Sequence, residues 1–402
     1  MKQVDVLALG GGYSGLWGAI NAADVASEAG VDLSILLVSR DEYLSHRPRL
    51  YECNPDSLRV EIQPLVDPVG VEFMKGEVTS IDEKTQVVTV VVDGESTQIG
   101  YRRLILATGS SLVNLPIPGT AEHAFNVDSY DGAKKLDQHL IALKGRMSEA
   151  VNQTFVVVGA GMTGIEIATE MRTRIAQHHG EEIAARARVI LVEKASEIGP
   201  LFGDSPRPVI EKALAHTGVE VWLETEVTDI TPSSASFSNN KSVETATVII
   251  TVGMKASDLT KQISGKRDDL GRLHVDEVLR VEGAPEIFAS GDVAHAFVDD
   301  GNVALMSCQN SRTMGKYVGR NAAADLIPGV DFTVYRQADY TTCLDLGTFG
   351  AVYTEGFERE LKYYGAEAKL RKIMINREMI YPPAPLSRQH IVEKMRIDHR
   401  GR

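Results

Sequence analysis

The stretch FVVVGAGMTGIEIATE, residues 155–170, decides the fold of this chain. Its first four residues are apolar and predict a buried strand, and the apolar spacing of its second half predicts a helix. The three glycines that lie between them have the spacing G-x-G-x-x-G: Gly159, Gly161 and Gly164. The first permits a tight turn, the second lets the backbone approach a pyrophosphate, and the third lets the helix pack close to the strand. The stretch therefore predicts a dinucleotide site whose phosphates lie at a helix N-terminus.

A second copy of this pattern begins the chain. The apolar run 4–9 precedes GGGYSG, whose spaced glycines are Gly10, Gly12 and Gly15. Each copy is followed by a predicted antiparallel meander, at 73–92 and 227–243, and then by an apolar strand that ends in a glycine turn (LILATG, 104–109; ATVIITVG, 246–253). The chain thus contains one architecture twice. We predict an α/β fold with two tandem Rossmann-like domains and inserted β-meanders.

The order of the motifs predicts a discontinuous first domain. We expect residues 1–115 and 262–330 to form the first nucleotide-binding domain and residues 116–261 to form the second. Residues 331–402 are predicted to form a small, strand-rich C-terminal region, because YTTCLDLGTFGAVYT, 340–354, alternates like a strand and contains a glycine turn.

Composition excludes several classes of protein. The 402-residue chain has a formal net charge of −13, which disfavours nucleic-acid binding. Its cysteines, Cys53, Cys308 and Cys343, form no C-x-x-C, so we expect no disulfide scaffold, no metal site and no dithiol relay. We see no signal peptide and no apolar run of about 18 residues, and therefore predict a cytoplasmic protein without a membrane-spanning helix.

The residue that ends the second strand differs between the two units. Glu193 in the second unit can accept hydrogen bonds from both ribose hydroxyls of NAD and would repel a 2′-phosphate, so NADH is favoured over NADPH. A surface glutamate is the alternative. Ser39 holds this place in the first unit and is a weaker, uncharged acceptor. Arg40 follows it and could stack on adenine, reach a phosphate or simply be exposed.

The segment ASGD, 289–292, follows a short predicted strand. Asp292 at its end could accept a hydrogen bond from a ribityl hydroxyl of a flavin. A Gly-Asp pair alone is a common turn, but its position after two nucleotide units strengthens the assignment. A helix predicted over 304–323 then directs its positive N-terminus toward the carbonyl end of that flavin.

These motifs together resemble the two-dinucleotide-binding-domain flavoproteins of the pyridine nucleotide-disulfide oxidoreductase superfamily. Within it they are most similar to the type II NADH dehydrogenases and the apoptosis-inducing-factor-like oxidoreductases. The resemblance implies FAD in the first unit, NADH in the second with NADPH less favoured, and hydride transfer from NADH to FAD. Electrons would then pass to an acceptor such as a quinone.

The resemblance also implies roles for single residues. Glu166 would be catalytic, as a buried carboxylate that gates or relays protons where nicotinamide meets flavin, and an ordinary helix glutamate is the alternative. The implied FAD-binding residues are Gly10, Gly12, Gly15, Ser39, Arg40, Val78, Ala107, Thr108, Gly109, Asp292 and Gln309. The implied NADH-binding residues are Gly159, Gly161, Gly164, Glu193 and Gly253.

The C-terminal region departs from the quinone-reducing members, which hold the membrane with a pair of amphipathic helices. Residues 359–402 do not show that pattern, because Pro382, Pro383 and Pro385 interrupt any helix. We therefore expect at most a peripheral contact with the inner face of a membrane. A solvated basic face or a homodimer contact is the alternative for this tail.

Other functions stay open at this point. YTTC, 340–343, resembles the distal cysteine segment of sulfide:quinone reductases, but no cysteine lies between Cys53 and Cys308, which disfavours a sulfide relay. A Cys308–Cys343 pair is conceivable, and two free thiols are the simpler interpretation. The main alternative is a soluble FAD-dependent oxidoreductase or oxidase that acts on a small molecule or a protein electron carrier. A redox-sensing interaction protein is a further one.

Overall fold

The computed structural model describes residues 1–113, 115–337, 339–383 and 387–397. The first unit is a seven-stranded sheet. Five of its strands are parallel, and its last two strands continue from the long strand Glu95–Leu106 as an antiparallel meander. The strands are Glu72–Lys75, Ile35–Ser39, Lys2–Leu9, Glu95–Leu106, Val87–Val92 and Glu77–Asp82, with Ile287–Ala289 beside Glu95–Leu106.

Two long helices pack against each other beside this sheet, Tyr13–Glu28 and Cys308–Ala324. Glycines allow the close approach, because a Cβ at Gly319 would overlap the backbone of Gly18. This second helix was predicted over 304–323, and in the structure it begins four residues later than predicted, at Cys308. Residue Ser307 caps it by accepting a hydrogen bond from the Asn310 N–H.

The second unit repeats the design with a five-stranded parallel sheet. A separate antiparallel meander follows it, as predicted. The sheet strands are Ala124–Phe125, Thr247–Ile250, Thr154–Val158, Arg188–Val192 and Val219–Trp222; the meander is Val227–Ile230, Ser234–Phe237 and Ser242–Glu244; the helices are Thr120–His123, Tyr130–Ala142, Ala150–Gln153, Met162–His179, Glu181–Ala184 and Arg207–His216.

The C-terminal region begins with a three-stranded antiparallel sheet, Thr341–Asp345, Ala351–Glu355 and Glu360–Gly365. The helix Ala366–Met374 follows and continues as a π-helical turn, Ile375–Met379. A second helix, Arg388–Met395, ends the described chain. The sheet confirms the predicted strands of 340–354, but the expectation that this region lacks a helix pair was wrong, because the helices lie on either side of the prolines rather than through them.

Short elements connect these parts. The remaining strands pair as Tyr43–Ser45 with Arg59–Glu61, Ser110–Leu112 with Met254–Ala256, and Leu273–His274 with Ala294–His295. The remaining turns of helix are Arg47–Arg49, Pro55–Leu58, Gln63–Val66, Asp67–Val69, Pro200–Phe202, Asp258–Gln262, Gly291–Val293 and Gly347–Phe349.

The sheets confirm the α/β fold class. One assignment was wrong, because the segment that begins the predicted meander at 73 pairs in parallel with Ile35–Ser39 and belongs to the nucleotide sheet. The domain boundaries stay a prediction, which the return of Ile287–Ala289 to the first sheet supports. Within the described ranges, no helix is both long and apolar enough to span a bilayer.

Candidate functional site

The two glycine turns have the same backbone geometry. Gly10 and Gly159 begin them with φ of +111° and +102°, a region that residues with a Cβ rarely adopt. A Cβ on Gly15 would overlap the carbonyl oxygen of Gly10, and a Cβ on Gly164 would overlap that of Gly159. Both third glycines are therefore required for the helix to pack against its strand.

The middle glycine of each turn leaves space for a ligand. Gly12 and Gly161 are the N-caps of the helices Tyr13–Glu28 and Met162–His179, and neither helix has a side-chain cap. A Cβ at either glycine would meet nothing within 4 Å. The N–H groups of the first helical turn are thus available to phosphate oxygens in both units.

A cavity of about 220 Å³ lies at the meeting point of the two units. Its first-unit wall includes four predicted FAD-binding residues, Gly12, Ala107, Gly109 and Asp292. Thr163, from the second glycine turn, also lines it. The hydroxyl of Thr108, a fifth predicted residue, is buried without a partner in the described structure. An unsatisfied hydroxyl beside an open glycine turn fits a bound FAD, which would supply the missing partner.

The carboxylate of Asp292 is fixed at the cavity wall. Its Oδ2 accepts a hydrogen bond of 2.6 Å from the Ser110 hydroxyl and lies 3.6 Å from Arg47 Nη1. Arg47 is in turn held by Asp128, with 2.6 Å between Nη2 and Oδ1. Arg47 is therefore paired with two carboxylates rather than a free surface charge.

Ser39 and Glu193 occupy equivalent strand ends but differ in the hydrogen bonds that their side chains accept. Glu193 accepts hydrogen bonds from the Ala160 N–H, at 2.7 Å, and from the Ala195 N–H, at 2.9 Å. The carboxylate thereby lies directly against the second glycine turn. Ser39 reaches only the Asp41 N–H, at 3.4 Å. The second unit thus has an acidic side chain fixed at this strand end, and the first unit does not.

The other predicted cofactor residues are dispersed. Arg40 is exposed, and Val78 lies in the strand Glu77–Asp82, outside the cavity wall. Gln309 is the second residue of its helix, and its side-chain amide donates to the Asp339 carbonyl at 3.3 Å. Gly253 ends the predicted strand–glycine turn with φ of +88° and accepts a backbone hydrogen bond from Val113. Their roles stay predictions.

Glu166 is buried beside a partner that lies far away in the sequence. Its Oε1 accepts from Lys372 Nζ at 2.5 Å and from the Asp345 N–H at 3.0 Å, and both members of the pair are 5% exposed. Burial raises the pKa of Glu166. Burial opposes the charge on Lys372, but the carboxylates of Glu166 and Asp345 outweigh it and raise the lysine pKa. The pair therefore retains its shared proton strongly.

Further charged side chains connect the Glu166–Lys372 pair to the surface. Both oxygens of Asp345 accept from Lys369 Nζ at 2.7 Å, and Lys369 is partly exposed. Glu170 lies one helical turn beyond Glu166, and burial followed by the Asp345 carboxylate raises its pKa to about 7. The sequence analysis missed these partners of Glu166. Glu170, one helical turn from Glu166 on the same helix, is the member of this cluster that local spacing could have indicated.

The three cysteines are free thiols. Burial raises the pKa of Cys308 to about 11 and that of Cys343 to about 12, which leaves both protonated near neutrality and unsuited to a thiolate relay. One cluster in the described chain, Cys53, Asp137 and His178, has ligand atoms within 4.8 Å of one another. Buried Arg174 donates to Asp137 there at 3.2 Å, so a guanidinium already supplies the positive charge.

Sequence comparison relates the chain to known oxidoreductases. Residues 4–315 match the family described as pyridine nucleotide-disulphide oxidoreductase. An NADH dehydrogenase-like protein of Mycobacterium tuberculosis is 41% identical over 390 residues, which cover 96% of this chain and 96% of the relative. The demethylphylloquinone reductase NdbB of Synechocystis sp. is 28% identical over 356 residues, or 86% of this chain and 85% of the relative.

Solved structures share the whole fold. NDH2 from Plasmodium falciparum in complex with NADH has a TM-score of 0.78 at 15% identity and covers 98% of this chain and 97% of its own. The sulfide:quinone oxidoreductase from Aquifex aeolicus has a TM-score of 0.74 at 17% identity, with coverages of 94% and 91%. At these identities the likeness concerns the fold alone.

Proposed function

Because the chain belongs to the pyridine nucleotide-disulphide oxidoreductase family and is an oxidoreductase that uses flavin and NAD(H), we propose that it oxidises NADH through FAD and reduces a quinone. The observation that carries the proposal is the cavity shared by the two glycine turns, which Asp292 and Thr163 line from opposite units. Nucleotides bound to both turns would direct their reactive ends into this space. Bound FAD would supply the hydride acceptor and the electron carrier.

The residues of the chain have distinct tasks in this proposal. The first glycine turn and Asp292 bind and orient FAD, and the second glycine turn and Glu193 bind the NADH ribose and phosphates. Glu166 and Lys372 hold a buried proton along the hydrogen bond that joins them. The packed glycines and apolar strands exclude water from the two rings.

The preference for NADH rests on Glu193. Its carboxylate has one oxygen on each of two backbone N–H groups, so it is fixed beside the second turn. The free lone pairs of these oxygens can accept from the 2′- and 3′-hydroxyls of a ribose, whereas a 2′-phosphate would bring two anions together. We therefore propose NADH as the donor and NADPH as the poorer substrate.

The quinone acceptor is supported by the named activity of a relative, the Synechocystis demethylphylloquinone reductase. The exposed side of the helix Ala366–Met374 and of the π-helical turn that continues it supports a peripheral membrane contact, through which a quinone would enter. Leu370 and Met379 there are 69% and 57% exposed, and Ile373 and Met374 are exposed between them. Such an apolar stripe on a helix is typical of interfacial binding.

The experiment is an acceptor comparison with purified enzyme. NADH-reduced protein is mixed with menadione, with a ferredoxin and with oxygen, and reoxidation of the flavin is followed by stopped flow. The proposal expects menadione to be fastest. Faster reoxidation by the ferredoxin or by oxygen would replace the quinone assignment. Flotation with anionic liposomes, compared between the native chain and Leu370→Glu, tests the membrane contact, which the variant should weaken.

A further inference from the structure

His46 is a buried histidine that the proposed function does not use. It is fully buried, between the strand Tyr43–Ser45 and the turn Arg47–Arg49. Its Nδ1 lies 2.5 Å from the Tyr13 hydroxyl. Its Nε2 is buried and has no hydrogen-bond partner among the described residues. A buried ring nitrogen without a partner is uncommon and requires an explanation, such as a ligand or a functional role.

The imidazole of His46 is neutral at physiological pH. Burial, with the positive charges of Arg49 and Lys372, lowers its pKa to about 3. A neutral imidazole carries one N–H, so a single proton must be placed on Nδ1 or Nε2. When Nδ1 carries it, the ring donates to the Tyr13 oxygen, and the Tyr13 O–H is released to donate elsewhere.

Tyr13 is one of the residues that line the shared cavity. Three other hydroxyls on the same wall are already engaged, those of Ser14 and Ser290 with each other at 2.5 Å and that of Ser311 with Asp292 at 3.4 Å. Tyr13 is the first residue after the N-cap Gly12, so its hydroxyl is attached to the element that also presents N–H groups to a phosphate.

The surroundings of the pair fit an uncharged, flat ligand. Trp17 packs on the Tyr13 ring at 5.2 Å between centroids, and Tyr381 packs on the His46 ring at 5.4 Å. The two cations that lower the pKa of His46 are each paired with a carboxylate, Arg49 with Glu52 at 2.7 Å and Lys372 with Glu166 at 2.5 Å. Aromatic walls and one neutral donor suit a carbonyl-bearing ring.

We propose that Tyr13 donates a hydrogen bond to a carbonyl oxygen of the quinone acceptor, and that His46 is the positioning residue that orients the Tyr13 hydroxyl. The inference rests on the proposed function, since it assigns a binding residue to that acceptor. No bond is formed or broken in this step. In this step the Tyr13 hydroxyl binds the acceptor oxygen, and His46 holds that hydroxyl in place.

The test measures binding of menadione to the oxidised holoenzyme, where no turnover occurs. Trp17 contacts Tyr13 and is one of two tryptophans in the chain, so Trp222→Phe leaves it as the sole tryptophan reporter of fluorescence. In that background we expect Tyr13→Phe and His46→Leu to weaken menadione binding about three- to tenfold, the effect of losing one hydrogen bond. His46→Asn keeps a polar group near the Nδ1 position and should restore most of the affinity.

The matched control is Tyr335→Phe, which removes another buried tyrosine hydroxyl, bonded to Gln337 at 3.1 Å and outside the cavity wall. It should leave the menadione affinity unchanged. Unaltered affinity in Tyr13→Phe, or equal losses in His46→Asn and His46→Leu, would overturn the proposal. Failure of the native enzyme to bind menadione or to be reduced by NADH would instead refute the proposed function, so the two failures are distinguishable.

Discussion

The two nucleotide units share one backbone design and differ in the side chains placed on it. Counting from the third glycine of each turn, the second residue is Trp17 in the first unit and Glu166 in the second. Trp17 is buried in the apolar core, whereas Glu166 is buried against Lys372. The same comparison holds at the strand ends, with Ser39 and Glu193. The second unit thus carries buried acidic side chains at two positions where the first unit has none.

The largest effect is expected when the buried charge of the second unit loses its partner. Lys372→Met leaves the Glu166 carboxylate uncompensated in the core and should destabilise the protein by about 3–5 kcal/mol. Glu166→Gln in the same chain should recover much of that loss. Urea unfolding of the native chain, both single variants and the double variant measures the coupling. Additive single effects would show that the pair does not interact.

The third glycines test whether the two turns hold different ligands. Alanine at either position must displace a backbone oxygen, at a cost of about 1–3 kcal/mol, which corresponds to roughly tenfold to a hundredfold in affinity. We expect Gly15→Ala to lose FAD, measured by the visible absorbance of the purified protein. Gly164→Ala should stay yellow and lose affinity for NADH.

The control for these variants is Gly30→Ala, at a positive-φ position where a Cβ would meet nothing within 4 Å. It should retain both FAD and NADH binding. A colourless Gly164→Ala protein together with a yellow Gly15→Ala protein would reverse the assignment of the two units.

The strand-end residues should show the next effect. Glu193→Gln removes charge-assisted hydrogen bonds worth about 1.5–3 kcal/mol and should raise the KM for NADH by about tenfold or more. The KM for NADPH should change less, because the repulsion of its phosphate is removed as well. Ser39→Ala should weaken FAD binding by only about two- to fivefold, as expected for a neutral hydroxyl. Steady-state kinetics and FAD titration of the apoprotein measure these values, and equal effects of the two substitutions would contradict the comparison.

The last effect concerns Glu170, which stands where the first unit has Asn21. Its pKa of about 7, against an ordinary 4.5, means that the folded state binds the proton more tightly, so stability falls as pH rises from about 4.5 to about 7. Glu170→Gln should remove this slope and stabilise the protein at pH 8 by about 1–2 kcal/mol, after allowance for partial exposure. Urea unfolding from pH 5 to 8 checks it. Glu211→Gln, at an exposed helix position, is the control and should keep the native slope.

The fold was predictable where residues close together in the sequence determine it. Each glycine turn and its flanking strand and helix depend on neighbouring residues, so the parallel sheets followed from two short stretches. The edge strand Glu72–Lys75 was misassigned because alternation looks the same in a meander and at the edge of a parallel sheet. The helix Ala366–Met374 was not predicted, although Pro382 and its neighbours do not prevent it. They lie after its end, and a proline interrupts only the helix that contains it.

The site was predictable only in part, for a similar reason. The glycines and Asp292 belong to local motifs, and four of the predicted residues do line the shared cavity. Lys372 lies 206 positions from Glu166, and His46 lies 33 positions from Tyr13. Such pairs are created by the tertiary fold, and local spacing in the sequence does not predict them.

The central claim is that the two units bring NADH to a bound flavin. The most direct measurement is an anaerobic titration of the purified protein with NADH, followed by visible absorbance. The account predicts a yellow protein whose flavin absorbance is lost on addition of NADH, with NADPH less effective. A protein that neither retains nor takes up FAD, or a bound flavin that NADH leaves oxidised, would contradict it.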